Sequence, residues 1–155
     1  MARAEVLPLT AADIDAILPD IRQADRDEIE GALHIPMRQA LADALADHCK
    51  ASKIVVDGLI VAVFGDSLHS EEAGVPWLIS TRHVERFPKA FLQACKPEVA
   101  EMLTRHPLLL NYVDARNQAA IRWLRWLGFT FCEPEPYGPD GHLFHCFWMR
   151  RKPCA

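Results

Sequence analysis

Residues 111–129 read NYVDARNQAAIRWLRWLGF, and this stretch combines the end of an apolar strand, a polar turn and a helix. Asp114 or Asn117 can cap that helix, because short polar side chains accept hydrogen bonds from the free N–H groups of a first turn. Gly128 stands where the helical pattern stops, as expected of a helix C-terminus. Apolar residues line one face of the predicted helix: Ala120, Ile121, Leu124 and Leu127.

The chain before this stretch predicts strands and helices in a regular order. A short strand (residues 4–9) precedes a helix that Thr10 caps, and apolar residues at three- or four-residue steps predict two more helices, broken near residues 31–36. SKIVVDGLIVAVFGD (residues 52–66) predicts two strands joined at Asp57-Gly58, a dipeptide favoured in hairpin turns. VPWLIST (residues 75–81) predicts a further strand.

The remaining segments complete a mixed pattern. Residues 82–106 have helical spacing, but Pro88 and Pro97 interrupt it and predict a kinked or split helix. PLLLNYVD (residues 107–114) is continuously apolar, as expected of a strand covered on both faces. After the helix, residues 129–136 and 142–151 predict a final hairpin around the turn YGPDG.

This order predicts an α+β fold in a single domain spanning residues 1–155. The sheet would contain six to seven mostly antiparallel strands with helices on both faces. One unit, from VPWLIST through PLLLNYVD, would be a right-handed parallel strand–helix–strand. The length of 155 residues and a hydrophobic fraction of 50% are enough for one buried core.

Charge and cysteine usage restrict the function classes. The net charge of −4 and the lack of a long basic run argue against a nucleic-acid partner. The five cysteines are odd in number and widely spaced, which indicates reduced thiols in a cytoplasmic protein: Cys49, Cys95, Cys132, Cys146 and Cys154. No apolar run approaches the roughly 20 residues of a membrane span.

The element order and the helix of residues 117–129 together resemble the GNAT acyltransferase fold. In that family the helix carries N-x-x-A-x-x-x-Y-x-x-x-G-F, and four positions match here: Asn117, Ala120, Gly128 and Phe129. The resemblance implies an acyl-CoA N-acyltransferase fold, with acetyl-CoA as the cofactor to consider. It also implies that the cofactor contacts Leu78, Ile79, Ser80, Thr81, Arg82, His83 and Asn117.

A narrower resemblance rests on GVPWLIST, NYVDARNQAAIRWLRWLGF and the closing FWMRR. These segments look like GNAT-like proteins grouped with the internal virion protein A of T7-like short-tailed phages. That resemblance implies a phage origin, synthesis in the host cytoplasm and a place in virion assembly or in the particle. Virion or host proteins would then be the partners, and a homo-oligomer stays open.

Two departures from the GNAT pattern predict a degenerate acetyl-CoA site. In active enzymes the strand that corresponds to VPWLIST is followed by Q/R-x-x-G-x-G/A, whose glycines let backbone N–H groups approach the pyrophosphate. With Arg82 at the first position, Glu85 and Phe87 replace the glycines, and Leu124 replaces the Tyr that protonates the departing thiolate. The alternative is an active N-acetyltransferase that moves acetyl from acetyl-CoA to an amine with an altered cofactor grip.

Several site residues have ordinary structural alternatives. His83 and Tyr112 are the weak catalytic candidates, but His83 also fits a surface position and Tyr112 a core position with a bonded hydroxyl. Asn117 fits a helix cap, and Glu85 fits the first turn of a helix.

No metal site is expected, because His142 and His145 are three residues apart on a predicted strand and point to opposite faces. Cys132 and Cys146 lie near them in the predicted hairpin.

Trp123 and Trp126 can share one helix face, which is either buried or presented to a protein partner.

Overall fold

The computed structural model describes residues 2–46 and 50–153. Eight strands and five α-helices lie along these ranges, in the order β1 Ala4–Pro8, α1 Ala11–Ile17, α2 Gln23–Leu33, α3 Met37–Ala46, β2 Ala51–Val56, β3 Leu59–Leu68, β4 Ala73–Ser80, α4 Pro88–Arg105, β5 Leu108–Asp114, α5 Gln118–Leu127, β6 Thr130–Phe131, β7 Glu135–Tyr137 and β8 His142–Arg150. Short 3-10 helices follow α1 at Leu18–Asp20 and β4 at Arg82–Arg86.

The strands form one mixed sheet in the order β1-β2-β3-β4-β5-β8-β6, with β7 also paired to β8. Only β4 and β5 run parallel among the strands described, which confirms the predicted α+β class. The strand predicted over residues 129–136 is split into β6 and β7, so the sheet has eight strands rather than six or seven. Pro134 lies in the break, where a residue without an N–H cannot continue the ladder.

Local chemistry explains most element boundaries. Thr10 caps α1 in a reciprocal capping box with Asp13, and Asn117 caps α5 by accepting a hydrogen bond from the Ala120 N–H. Asp57 and Gly58 both have positive φ, as the predicted hairpin turn requires. His34, also at positive φ, ends α2 inside the predicted break.

The split predicted within residues 82–106 occurs before Pro88, between the 3-10 helix Arg82–Arg86 and α4, and no split occurs at Pro97. Pro88 occupies the first turn of α4, where a missing N–H costs nothing, but Pro97 lies inside the single helix Pro88–Arg105. Gln93, whose carbonyl loses its partner at Pro97, is exposed like Pro97 itself. Water can therefore replace the missing hydrogen bond.

Two apolar layers cover the sheet. On one face α4 and α5 pack over a core that includes Val61, Phe91, Leu109, Ile121 and Phe147. On the other face α1 and α3 pack over a core that includes Ile14, Ile17, Met37, Leu41 and Ile79. In the ranges described, no helix is both long and apolar enough to cross a bilayer.

The parallel strands β4 and β5 pair only at their beginnings and then separate. Their ladder consists of Ala73 opposite Leu108 and Gly74 opposite Leu109. Pro76, two residues farther along, has no N–H to donate, and its carbonyl instead accepts a hydrogen bond from the Asn111 side chain at 2.7 Å. A gap therefore opens between the two strands toward their carboxyl ends.

A buried ion cluster fixes the closed end of this gap. Asp66 of β3 contacts the His106 ring nitrogen at 2.7 Å and receives two hydrogen bonds from Arg105, at 2.8 and 3.1 Å. Burial alone would raise the pKa of Asp66, but the hydrogen bonds from Arg105 and His106 outweigh it and lower that pKa. The His106 ring lies against the backbone of Gly74, which leaves no room for a Cβ there.

Candidate functional site

A cavity of about 300 Å³ occupies the gap between β4 and β5. Its walls are mostly apolar and come from both sides of the sheet, with Ile29 and Leu33 of α2 on one side and Phe91 and Trp123 of α4 and α5 on the other. A largely apolar cavity with few polar groups is the usual form of a small-molecule site.

Two carboxyl groups of α2, those of Asp25 and Glu28, are the charged groups among the described residues that line this cavity. The Glu28 carboxylate accepts a hydrogen bond from the Asp114 N–H at 2.8 Å and faces the Asn117 amide at 3.4 Å. Burial, helped by the negative charge of Asp25, raises the pKa of Glu28 to about 8 despite these hydrogen bonds. Glu28 is therefore a carboxyl group that titrates near neutral pH inside a cavity.

Asp25 lies at the centre of a buried polar cluster. Its carboxylate accepts hydrogen bonds from the Ser80 N–H at 2.7 Å, from the Ser80 hydroxyl, and from the Asn117 amide at 2.9 Å. The Arg22 guanidinium supplies the opposite charge, 3.5 Å from Asp25, and also donates to the Ser80 hydroxyl at 3.0 Å. The cluster ties α2 to the end of β4 and the start of α5.

Three backbone N–H groups of the turn after β4 are hydrogen-bonded within the turn. The Val84 N–H donates to Thr81 O and the Phe87 N–H to Val84 O, each at 3.1 Å, while Pro88 has no N–H. The His83 N–H donates to the Thr81 hydroxyl at 3.3 Å. These N–H groups are consequently bonded within the turn.

Two side chains of this turn contact Asp20. Arg82 donates to Asp20 at 2.9 Å, and the His83 ring lies 3.3 Å from the other Asp20 oxygen. These interactions, led by the Arg82 hydrogen bond, lower the pKa of Asp20, so an ionised carboxylate lies beside the turn.

No protein-family model and no curated protein matches the sequence. Solved structures match it over nearly its whole length. A ribosomal-protein-S18-alanine N-acetyltransferase from Escherichia coli has a TM-score of 0.64 at 16% identity, covering 98% of this chain and 96% of that one. RimL, a ribosomal α-N-protein acetyltransferase in complex with coenzyme A, has a TM-score of 0.68 at 13% identity, covering 96% and 94%.

An N-acetyltransferase from Staphylococcus aureus gives the same result, with a TM-score of 0.68 at 15% identity over 97% of this chain and 99% of that one. The chain has the GNAT fold. The structural similarity establishes the architecture. At identities this low it does not extend to the chemistry, which depends on the residues of this chain.

The residues that the GNAT resemblance assigns to the cofactor are divided between different environments. Leu78 and Ile79 line the cavity, whereas Ser80 and Thr81 are buried and hydrogen-bonded. Asn117 is buried as helix cap and as part of the Asp25 cluster, so its predicted structural role is confirmed. Contacts of these residues with a cofactor stay a prediction.

The two catalytic candidates are separated. His83 is bound to Asp20 in the turn after β4, whereas Tyr112 lines the cavity on β5. The alternative that Tyr112 is a core residue is wrong, because its side chain is 37% exposed and stacks on Tyr137 with ring centroids 4.2 Å apart. This aromatic pair stands at the edge of the cavity, where β7 adds to β8.

The two tryptophans of α5 have different surroundings. Trp123 packs edge to face on Phe91, with ring centroids 4.9 Å apart, and this contact joins α5 to α4 beside the cavity. The Arg22 guanidinium lies over the Trp123 ring, 5.0 Å from its centroid. Trp126 is 53% exposed. Leu124, at the position of the GNAT tyrosine, lines the cavity with an aliphatic side chain.

The histidines of β8 take part in ordinary contacts. His142 is exposed, and a His145 ring nitrogen lies 2.9 Å from the Cys132 carbonyl. No group of three or more His, Cys, Asp or Glu side chains suited to a metal ion occurs within residues 2–46 and 50–153. Cys95, Cys132 and Cys146 are free thiols, and Cys49 and Cys154 lie outside the described residues.

We expect Glu28→Gln to flatten the pH dependence of stability. The folded state holds a proton on Glu28 up to about pH 8, whereas the unfolded chain releases it near the ordinary glutamate pKa of 4.5. Stability from this group is therefore present at low pH and lost as pH rises between those values, with a limiting slope of about 1.4 kcal/mol per pH unit.

Gln keeps the oxygen that accepts from Asp114 and removes the titration. Urea unfolding at several pH values between 5 and 8 measures the effect. The stability of Glu28→Gln relative to wild type should increase steadily with pH, and a constant difference would contradict the raised pKa of Glu28.

Proposed function

We propose that this chain is a GNAT-fold phage protein with a degenerate acetyl-CoA site that acts through contacts with virion or host proteins. The observation that carries the proposal is the turn after β4. Its Val84 and Phe87 N–H groups are bonded internally, and Pro88 removes a further donor where α4 begins. Free N–H groups at such a turn are what an incoming pyrophosphate requires.

The charges and shapes around the turn support the same proposal. Asp20 pairs with Arg82, lies 3.3 Å from the His83 ring, and would repel a phosphate. Glu85 and Phe87 stand at the positions of the two loop glycines, which adds a second carboxylate and a ring that opposes close approach of a ligand. These residues do not fit the pyrophosphate of coenzyme A.

The phage origin and the protein-contact role are supported by the resemblance of GVPWLIST, residues 111–129 and FWMRR to phage internal virion proteins. The protein would be made in the host cytoplasm and could then enter the particle. Trp126 supports a contact role, because it is exposed and Trp is enriched in protein interfaces. Trp123 is committed to Phe91 and Arg22 and is not part of that surface.

An active N-acetyltransferase is the second candidate, and Glu28 is the observation that favours it. A carboxyl with a pKa of about 8 on the cavity wall is suited to accept a proton from an ammonium group at neutral pH. In this reading Glu28 is the general base, and Glu28→Gln would abolish turnover while the fold is retained. Acetyl transfer to an amine, followed in wild type and Glu28→Gln, tests this candidate.

We expect Leu124→Tyr to produce no acetyltransferase activity. The substitution restores a hydroxyl at the position where GNAT enzymes carry their general acid, but it leaves the turn of residues 82–88 unchanged. Release of free thiol from acetyl-CoA in the presence of a panel of primary amines measures the outcome. Leu124→Phe is the matched control for ring size, and turnover confined to the Tyr variant would show that the cofactor grip is intact.

A further inference from the structure

We propose that the outer surface of α4 and α5 docks an acidic segment of a partner protein. The surface consists of Lys89, Lys96, Arg122, Arg125 and Trp126, and is called the basic face below. The inference deepens the proposed contact function by naming the chemistry of the partner.

The basic face collects positive charge that is not paired with carboxylates among the described residues. Its four cationic residues are exposed, and none of them forms an ion pair in the part of the chain that the structure describes: Lys89, Lys96, Arg122 and Arg125. Helix α5 contains no Asp or Glu over Gln118–Leu127. A helix with basic residues and no acidic ones is unusual in this chain, because acidic residues outnumber basic ones by 21 to 17.

The acids of α4 belong to a different cluster. Glu101 pairs with Lys50 at 3.6 Å and with Arg105 at 3.3 Å. Burial and the negative charge of Glu101 raise the pKa of Glu98. Lys50 and Arg105 partly oppose this increase. Neither acid therefore neutralises the basic face.

An exposed Trp stands among these cations. The Lys96 ammonium lies 5.6 Å from the centre of the Trp126 ring, and Arg122 is one helical turn before Trp126. The Arg125 guanidinium lies 5.4 Å from the ring of Phe131, so an aromatic surface continues onto β6. Trp and Arg are the residues that most often carry binding energy at protein interfaces.

The charge pattern favours an acidic protein segment over nucleic acid. Four cations complement a short run of Asp or Glu, and Trp126 offers a contact for an apolar residue within that run. A nucleic acid would also meet a chain whose net charge is −4 even with these four cations included, which repels a long polyanion. The partner that fits is a short acidic segment containing an apolar anchor.

Fluorescence anisotropy tests the proposal with a labelled peptide of alternating Glu and Leu, and with a second peptide in which Gln replaces Glu. We expect saturable binding of the acidic peptide alone, weakened when NaCl rises from about 50 mM to about 300 mM. Arg122→Glu/Arg125→Glu should weaken binding by about tenfold or more, because it replaces attraction by repulsion at two positions. Trp126→Ala should weaken it by about tenfold through loss of the apolar contact.

Lys152→Glu is the matched control, since Lys152 is an exposed cation outside the basic face and its reversal should change affinity by about twofold or less. Equal binding by wild type and the double variant would overturn the proposal, as would no binding at all. Tighter binding of a single-stranded DNA oligonucleotide than of the acidic peptide would overturn the choice of partner.

Melting curves of the same samples with acetyl-CoA separate the two proposals. A rise in melting temperature with acetyl-CoA contradicts the degenerate site, whether or not the acidic peptide binds. If the wild-type protein binds neither acetyl-CoA nor the acidic peptide, only the proposal for the basic face is overturned.

Discussion

Gly74→Ala should destabilise the protein by about 3 kcal/mol, because a Cβ at residue 74 would overlap the buried ring of His106. The ring cannot move aside without breaking its 2.7 Å contact with Asp66, and both side chains are buried. Gly74 also belongs to the short parallel ladder between β4 and β5. The expected fall in melting temperature is about 6–12 °C for a domain of this size.

Gly31→Ala is the matched control for this substitution. Gly31 lies inside α2, and its added Cβ would reach only the His142 ring, at 3.9 Å. Ala is the better helix former by about 0.5–1 kcal/mol, so the control should be stabilised slightly. Similar melting temperatures for the two variants would show that the ion cluster does not fix the closed end of the gap.

Asp25→Ala should have a similar or larger effect, at about 3–5 kcal/mol. The substitution leaves the Ser80 N–H, the Ser80 hydroxyl and the Asn117 amide without their acceptor, and it leaves the Arg22 charge without its counter-ion. Buried polar groups that lose their partners keep the full cost of desolvation. Urea unfolding with a near-constant m-value measures the loss.

Asp27→Ala provides the comparison on the same helix. Asp27 is exposed, and its carboxylate accepts one hydrogen bond, from Gln23 one turn earlier. Removing it should cost about 0.5 kcal/mol or less. If both alanine variants unfold at the same urea concentration, the Asp25 cluster is not the tie between α2, β4 and α5.

The features that the sequence predicted correctly are those decided by neighbours in the chain. The Thr10 and Asn117 caps, the Asp57-Gly58 turn and the break near His34 depend on residues within one helical turn or one hairpin. The strand–helix–strand order from β4 to β5 likewise predicted the parallel pair.

The cavity acids could not be predicted in the same way. Helical spacing shows that Asp25 and Glu28 share a face of α2, but their partners are Ser80, Asp114 and Asn117, far along the chain. The raised pKa of Glu28 depends on burial by those distant elements. Sequence spacing carries no information on such contacts.

Two other features depend on distant elements in the same way. Tyr112 lies on a strand that reads as fully covered, yet the separation of β4 from β5 exposes it beside Tyr137. Trp123 and Trp126 look equivalent in sequence, and only the position of Phe91 on α4 decides that Trp123 is packed while Trp126 faces solvent. In both cases tertiary packing decided what local spacing left open.

The melting temperature of the wild-type protein with and without acetyl-CoA tests the degenerate site most directly. A ligand at about 100 times its dissociation constant stabilises a protein by about 2.7 kcal/mol, which corresponds to roughly 5–10 °C here. With acetyl-CoA at about 1 mM, a dissociation constant of about 10 μM or less would give at least that shift. We predict no shift, and a reproducible rise of several degrees with acetyl-CoA would contradict the account.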